Sequence, residues 1–231
     1  MRPEEFPEIL PAESPDRELM TRITVSMTRD LKPERPLRSA GAAVSSLLVV
    51  FLAMAVLGAA TLGFFGLIRL SSGAIALIFP ALAGLTLLAA AASVNAMTPG
   101  SKRPFHPAVL MVAACGVMAA IFLLIFRDTS LGRFVPQGLA CMRTGLLWAI
   151  PTAVFSWIVL RRGYAVNRAA AGIACGTLAG LEGLTVLELH CPNFRLWHIL
   201  VWHLAVVPIA AAIVGAIYFF GSKRKAAELM Q

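Results

Sequence analysis

The chain has 231 residues, of which 58% are hydrophobic and only 14% charged, and its mean hydropathy is +0.79. A soluble domain carries roughly a quarter charged residues, so this chain has too few to cover a globule. That excludes a soluble enzyme, a disordered chain and a nucleic-acid-binding domain as readings of the whole chain. The net charge of +8 suits a membrane protein whose basic residues gather on the inner side, where anionic lipid attracts them. Four cysteines are too few for a secreted disulfide scaffold.

The first forty residues stand apart. They hold seven Lys/Arg and eight Asp/Glu, and no basic start precedes an apolar stretch, so no cleavable signal peptide is expected. Pro3, Pro7, Pro11 and Pro15 favour an extended arm over residues 1–15. From Asp16 to Leu31 there is neither Gly nor Pro, and Leu19, Ile23, Met27 and Leu31 follow one another at i+4 steps. Ser14 or Asp16 can cap the start, and Pro33 stops the run. This pattern predicts a short amphipathic helix over 16–31. It either lies on the bilayer or its own bundle, or docks its apolar stripe into the groove of a partner.

From Gly41 onward the chain reads as membrane-spanning. Crossing the hydrocarbon takes about 20 mostly apolar residues, and six such runs occur at roughly 42–68, 73–97, 107–126, 140–160, 167–189 and 198–220. Lipid cannot satisfy backbone polar groups, so helices are the expected form. The fold class is therefore all-α: a six-helix transmembrane bundle over 41–221, preceded by the segment 1–40 and followed by a basic tail over 222–231. Placing the N-terminus in the cytoplasm puts fifteen Lys/Arg on inner segments and five on the other side. The positive-inside rule then places both termini in the cytoplasm. Ala- and Gly-rich helices allow close backbone approach. Gly176-x-x-x-Gly180 reads as packing rather than as a dimer motif. No internal repeat is evident, which weakens an inverted-repeat transporter.

The reactive residues gather at one edge. On this topology Cys141 begins the fourth helix at the outer face, and His190 and Cys191 end the fifth there. His198 begins the sixth, with His203 about one and a half turns deeper; Trp197 and Trp202 precede the two histidines as interfacial aromatics. Thiolate and imidazole are ligands for zinc, copper and other soft or borderline metals, so His190, Cys191, His198, His203 and Cys141 are candidate ligands for a transition-metal ion. The spacing matches no known zinc motif. A disulfide between the outer cysteines, or a purely structural role for the histidines, stays open beside it. Cys115 and Cys175, each followed by Gly, read as small packing residues. Glu182 lies within the fifth helix, where a carboxylate is costly; a neutral, hydrogen-bonded side chain is expected, with Arg143 as the one basic group within plausible reach. Glu188 and Asn95 lie near helix ends, where polarity costs little. No phosphate-binding glycine loop, metalloprotease helix or serine elbow occurs, so no enzymatic activity is expected.

Several stretches resemble the NrsF-like membrane anti-sigma factors, the negative regulators of sigma F. Leu31-Lys32-Pro33-Glu34-Arg35-Pro36-Leu37 resembles the segment leading into that family's first helix. Cys141-Met142-Arg143-Thr144-Gly145-Leu146, with Pro151 and Leu160-Arg161-Arg162-Gly163, is similar to its fourth helix and following loop. Ala171-Gly172, Ala179-Gly180, Leu189-His190-Cys191-Pro192, His198 and Trp202-His203 resemble its fifth and sixth helices. The likeness runs from about Leu31 to Gly221 and is strongest from Cys141 to His203.

The resemblance implies a multi-pass protein of the bacterial inner membrane. Its cytoplasmic N-terminal segment would hold an extracytoplasmic-function sigma factor inactive, with no direct contact to nucleic acid. It also implies that Cys141 and Cys191 face the periplasm and respond to oxidant or heavy metal. Leu19, Ile23, Met27, Leu31 and Arg35 are then the expected partner-binding residues. Two other classes compete. One is a small ion, proton or metal transporter using Glu182 and the outer His/Cys group. The other is a bis-histidine haem protein, which ranks last because His190, His198 and His203 share one face.

Overall fold

A computed structural model of the chain describes residues 17–29, 39–98, 106–160 and 167–228. They fall into two units, Met1–Pro36 and Leu37–Gln231, and every described element is helical.

The first unit contributes helix α1 (Arg17–Arg29), within the stretch 16–31 that the periodicity predicts. Thr24 and Ser26 donate their hydroxyls back to the carbonyls of Met20 and Ile23 at 2.7 and 3.0 Å, leaving the helix backbone intact. Leu19, Met20, Ile23 and Val25 are all exposed. Leu31, Arg35, the proposed caps Ser14 and Asp16 and the proposed stop Pro33 lie outside the described residues, as do the side chain of Met27 and the proline-rich arm.

The second unit is the apolar bundle: α2 (Ala40–Leu62), α3 (Phe65–Arg69), α4 (Ser72–Met97), α5 (Pro107–Ile125), α6 (Phe134–Leu160), α7 (Arg168–His190), α8 (Leu196–His198), a π-turn at Ile199–His203, and α9 (Val206–Glu228). Six helices here are long and apolar enough to cross a membrane, the last running from Leu196 to Gly221 through the π-turn. Starts are capped as the local chemistry asks. Ser39, Ser71 and Asn167 accept the N–H of the third residue of α2, α4 and α7, and Pro107 opens α5, where its missing N–H costs nothing. Several hydroxyls inside the spans turn back on their own helices, Ser93 to Ala89 O and Thr185 to Leu181 O among them, whereas the buried hydroxyls of Thr86 and Thr152 make no hydrogen bond. Turning back spares lipid an unpaired donor.

Two boundaries depart from the hydropathy runs. The first run, read as continuous over 42–68, breaks at Gly63, whose φ of +94° suits only glycine; α3 follows as a separate short helix. The fourth helix starts at Phe134 rather than near 140, because Gly, Pro and Gln in its first turns lower hydropathy without breaking the helix.

Helix α7 is the axis of the bundle. Nearly every side chain from Ala170 to Glu188 is buried, and α2, α3, α4, α5, α6 and α9 all touch it. Its small residues make this possible. A Cβ on Gly176 would lie 2.5 Å from Ala211 Cα, and one on Gly180 would lie 2.5 Å from Val207 Cα. Gly176 and Gly180 therefore form a groove for the α9 backbone of the same chain, the packing role expected of them. Leu178, Leu181 and Leu184 fill other faces of α7 in one core with Leu47, Ile78, Met118 and Phe122, while Leu187 lies against Gly145 of α6. The outer surface is apolar too: Val49 and Leu124 are 67% and 66% exposed. An apolar core inside an apolar exterior is the pattern of a protein solvated by lipid, where close backbone contact replaces hydrophobic drive.

Candidate functional site

The C-terminus of α7, the N-terminal turns of α6 and the α8–π-turn segment meet at one end of the bundle. Cys141, two turns into α6, faces Cys191, the residue that caps α7; their sulfurs are 3.5 Å apart. Cys191 Sγ is 3.7 Å from His198 Nε2. One ligand atom from each of Cys141, Cys191, His198 and His203 lies within 4.8 Å of every other. Cys141 is half-buried and the other three residues are buried. Hydrogen bonding to Cys141 and burial raise the Cys191 thiol above its ordinary value, while His198 and His203 pull it back down.

The histidine pair depends on the π-turn. Residues five apart on an α-helix point about 140° away from each other, so an α-helical sixth span would split His198 from His203. Here Leu204 N–H bonds to Ile199 O at 3.1 Å, and the wider turn brings the two imidazoles edge to face at 5.0 Å. Single-turn π insertions of this kind recur at functional sites.

His190, the fifth candidate ligand, does not join them. Its Nδ1 lies 3.3 Å from Gly63 O and its ring meets Phe65 edge-on. It ties α3 to α7, and Gly66 brings α3 against the α7 carbonyls, where a Cβ would sit 2.5 Å from Glu188 O.

Glu188 was missed by sequence reasoning, which placed it at a cheap helix end. It is 1% exposed, and its Oε1 pairs with His203 Nδ1 at 2.9 Å. The signal that could have found it is Glu188 three residues before Cys191, a spacing that sets both on one helix face. Glu182 departs from expectation differently. It is fully buried, yet neither carboxylate oxygen has a hydrogen-bond partner, and no ion pair to Arg143 forms among the described residues. The hydroxyl of Thr185, one turn on, donates instead to Leu181 O at 2.8 Å. Cys175 is buried in the apolar core, and half-buried Cys115 packs against it.

A cleft of about 840 Å³ opens onto Cys141, Cys191 and His198, bordered by Arg133, Gln137 and Asn193. Two loops close around it. Leu196 N–H donates to Asp128 O at 2.7 Å, Arg195 donates to Gly132 O, and Phe126 stacks on Phe194 at 5.5 Å. Hydrogen bonds from Ser130, with the Arg195 guanidinium nearby, hold the exposed Asp128 carboxyl below its ordinary range. Arg133 adopts φ +50°, a left-handed conformation, at the turn into α6.

The donor set fits a four-coordinate thiophilic ion. With metal–sulfur and metal–nitrogen bonds near 2.3 and 2.1 Å, tetrahedral ligand atoms stand about 3.3–3.8 Å apart. The observed 3.5 and 3.7 Å contacts already match, the remaining separations, up to 4.8 Å, would close on an ion, and the buried Nε2 of His203 makes no hydrogen bond. Equally, two thiols in contact can oxidise to a disulfide.

Fold and site together define a multi-pass helical membrane protein with a thiol–imidazole cluster at one end of its bundle. Residues 27–219, most of the chain, match the family described as NrsF, Negative regulator of sigma F. The chain belongs to that family, whose name makes its members negative regulators of a sigma factor. No curated protein and no solved structure matches it.

Proposed function

We propose that this protein is a membrane-bound anti-sigma factor. Its N-terminal segment, residues 1–40, sequesters an extracytoplasmic-function sigma factor at the bacterial inner membrane. Its thiol–imidazole cluster receives a periplasmic signal, either a thiophilic metal ion or an oxidant. The observation that carries the sensing half is the contact of Cys141 and Cys191 at 3.5 Å inside a cluster that also holds His198 and His203, reached through an open cleft. For the binding half, the support is an amphipathic α1 whose Leu19, Met20 and Ile23, on one face, stay exposed, a stripe suited to an apolar groove on a soluble partner. The count of Lys/Arg supports cytoplasmic termini.

Metal binding would draw α6, α7 and the π-turn onto one ion; oxidation would join α6 to α7, each thiol giving up a proton and the pair losing two electrons to the oxidant. Either event changes helix packing at one end of α7, the helix that touches most of the others, and so can shift the bundle between two packings and alter how the N-terminal segment is presented. The test is co-purification of the full-length protein with sigma factors from its native membranes. Leu19→Asp and Ile23→Asp should abolish capture. Cys141→Ser and Cys191→Ser should leave capture intact but remove its release by cadmium, zinc or diamide. Capture unaffected by both aspartates sinks the α1 interface, and release unaffected by both serines sinks thiol sensing.

A further inference from the structure

We propose that Glu188 is the positioning residue of the cluster, fixing His203 so that its Nε2 is presented to an incoming metal ion; this rests on the metal branch of the function proposed above. The two imidazoles are not held alike. His203 Nδ1 is engaged by Glu188 Oε1 at 2.9 Å, with both side chains 1% exposed, whereas His198 Nδ1 is buried without a partner. An imidazole has two nitrogens, and a carboxylate on one of them settles which tautomer it adopts and which nitrogen is free to bind. With Nδ1 committed, His203 has only Nε2 to offer, and that atom is buried and makes no hydrogen bond, although the ring lies close enough to Cys191 to act on its thiol.

The chain builds this economically. Glu188 sits one turn before Cys191, so the end of a single helix supplies both a sulfur ligand and the group that aims an imidazole from the neighbouring segment. The π-turn turns His203 towards α7, and Glu188 then fixes its rotation. A carboxylate behind a metal-bound histidine raises its basicity as well as orienting it, and loss of such a partner typically lowers metal affinity 10–100-fold. His198, lacking one, contributes a looser ligand. Of the two imidazoles, His203 is therefore the fixed donor and His198 the one that adjusts.

The test uses the full-length protein in detergent or nanodiscs, with Co²⁺ as spectroscopic probe and Zn²⁺ affinity read by competition with a chelator. Wild type should show thiolate-to-cobalt charge transfer and tetrahedral ligand-field bands. Glu188→Ala should weaken Zn²⁺ binding about 10–100-fold and shift the ligand-field bands. Glu188→Gln, which keeps an acceptor oxygen, should recover most of the affinity. In a His203→Ala background, Glu188→Ala should cost nothing further. Unchanged affinity and spectrum in Glu188→Ala overturn the proposal. So does an equal loss in the His203→Ala background, because Glu188 would then act on the fold and not through His203. A wild-type protein that gives no cobalt spectrum overturns the metal reading itself and the role of Glu188 with it.

Discussion

Mild oxidation should join Cys141 to Cys191 and no other pair. The two sulfurs need to close by about 1.5 Å, from 3.5 Å to a disulfide bond of about 2.0 Å, a movement within side-chain freedom at a helix cap. Cys115 and Cys175 lie within the apolar body of the bundle, away from the cleft that exposes Cys141. The bond would span fifty residues, for which chain-entropy arithmetic gives about 4 kcal/mol of stabilisation. That figure is a ceiling, since membrane helices persist in the unfolded reference state. It corresponds to a rise in Tm on the order of 10 °C. The assay is diamide treatment in detergent, followed by peptide mapping without reductant and a thermal melt. Saturating zinc beforehand should slow the reaction by occupying both thiols. Recovery of a Cys141–Cys191 peptide with a raised Tm supports the geometry. Oxidation confined to other pairs, or intermolecular dimers only, would refute it.

Three further outcomes follow from the packing. Gly180→Ala places a methyl 2.5 Å from Val207 Cα and should cost about 1–3 kcal/mol through overpacking. Gly84→Ala, where a Cβ meets nothing within 4 Å, should be neutral or slightly stabilising by helix propensity; equal melts for the two would contradict the α7–α9 contact. Glu182→Leu removes a buried carboxylate without partners and should raise stability by roughly 1–3 kcal/mol while leaving cobalt binding unchanged. A large stability loss would point to a partner for Glu182. His190→Ala, which breaks the contact with Gly63 O, should lower Tm yet keep Zn²⁺ affinity within about twofold, whereas His203→Ala should lose it by at least an order of magnitude; the reverse ranking would place His190 in the cluster.

Much of the architecture was legible in the sequence because its causes are local. Six runs long enough to cross hydrocarbon are a property of composition over about 20 residues. The caps Ser39, Ser71 and Asn167 and the opening Pro107, which the structure shows and the hydropathy reading did not name, are equally local, acting within one turn. The gathering of Cys141, Cys191, His198 and His203 at one end also follows from alternating span direction. Other features were not local. The break at Gly63 interrupts an unbroken apolar run, and only the packing of α3 on the end of α7 gives it a purpose. Glu188 looked like an inexpensive polar residue because helix-end position says nothing of what lies across the interface.

The sequence by itself determined that this chain lives in a bilayer as helices, and roughly where each one enters and leaves, since the transfer of apolar side chains into lipid depends on the segment alone. Tertiary structure decided which helix is central, and it chose α7 because its glycines let the α9 backbone approach. It also decided which histidines meet the thiols. A π-turn rotates His203 onto the face of His198 and a carboxylate from α7 locks it there, while His190 turns to α3. Those choices rest on close contacts between residues far apart in the chain, and side-chain periodicity along one helix carries no record of them.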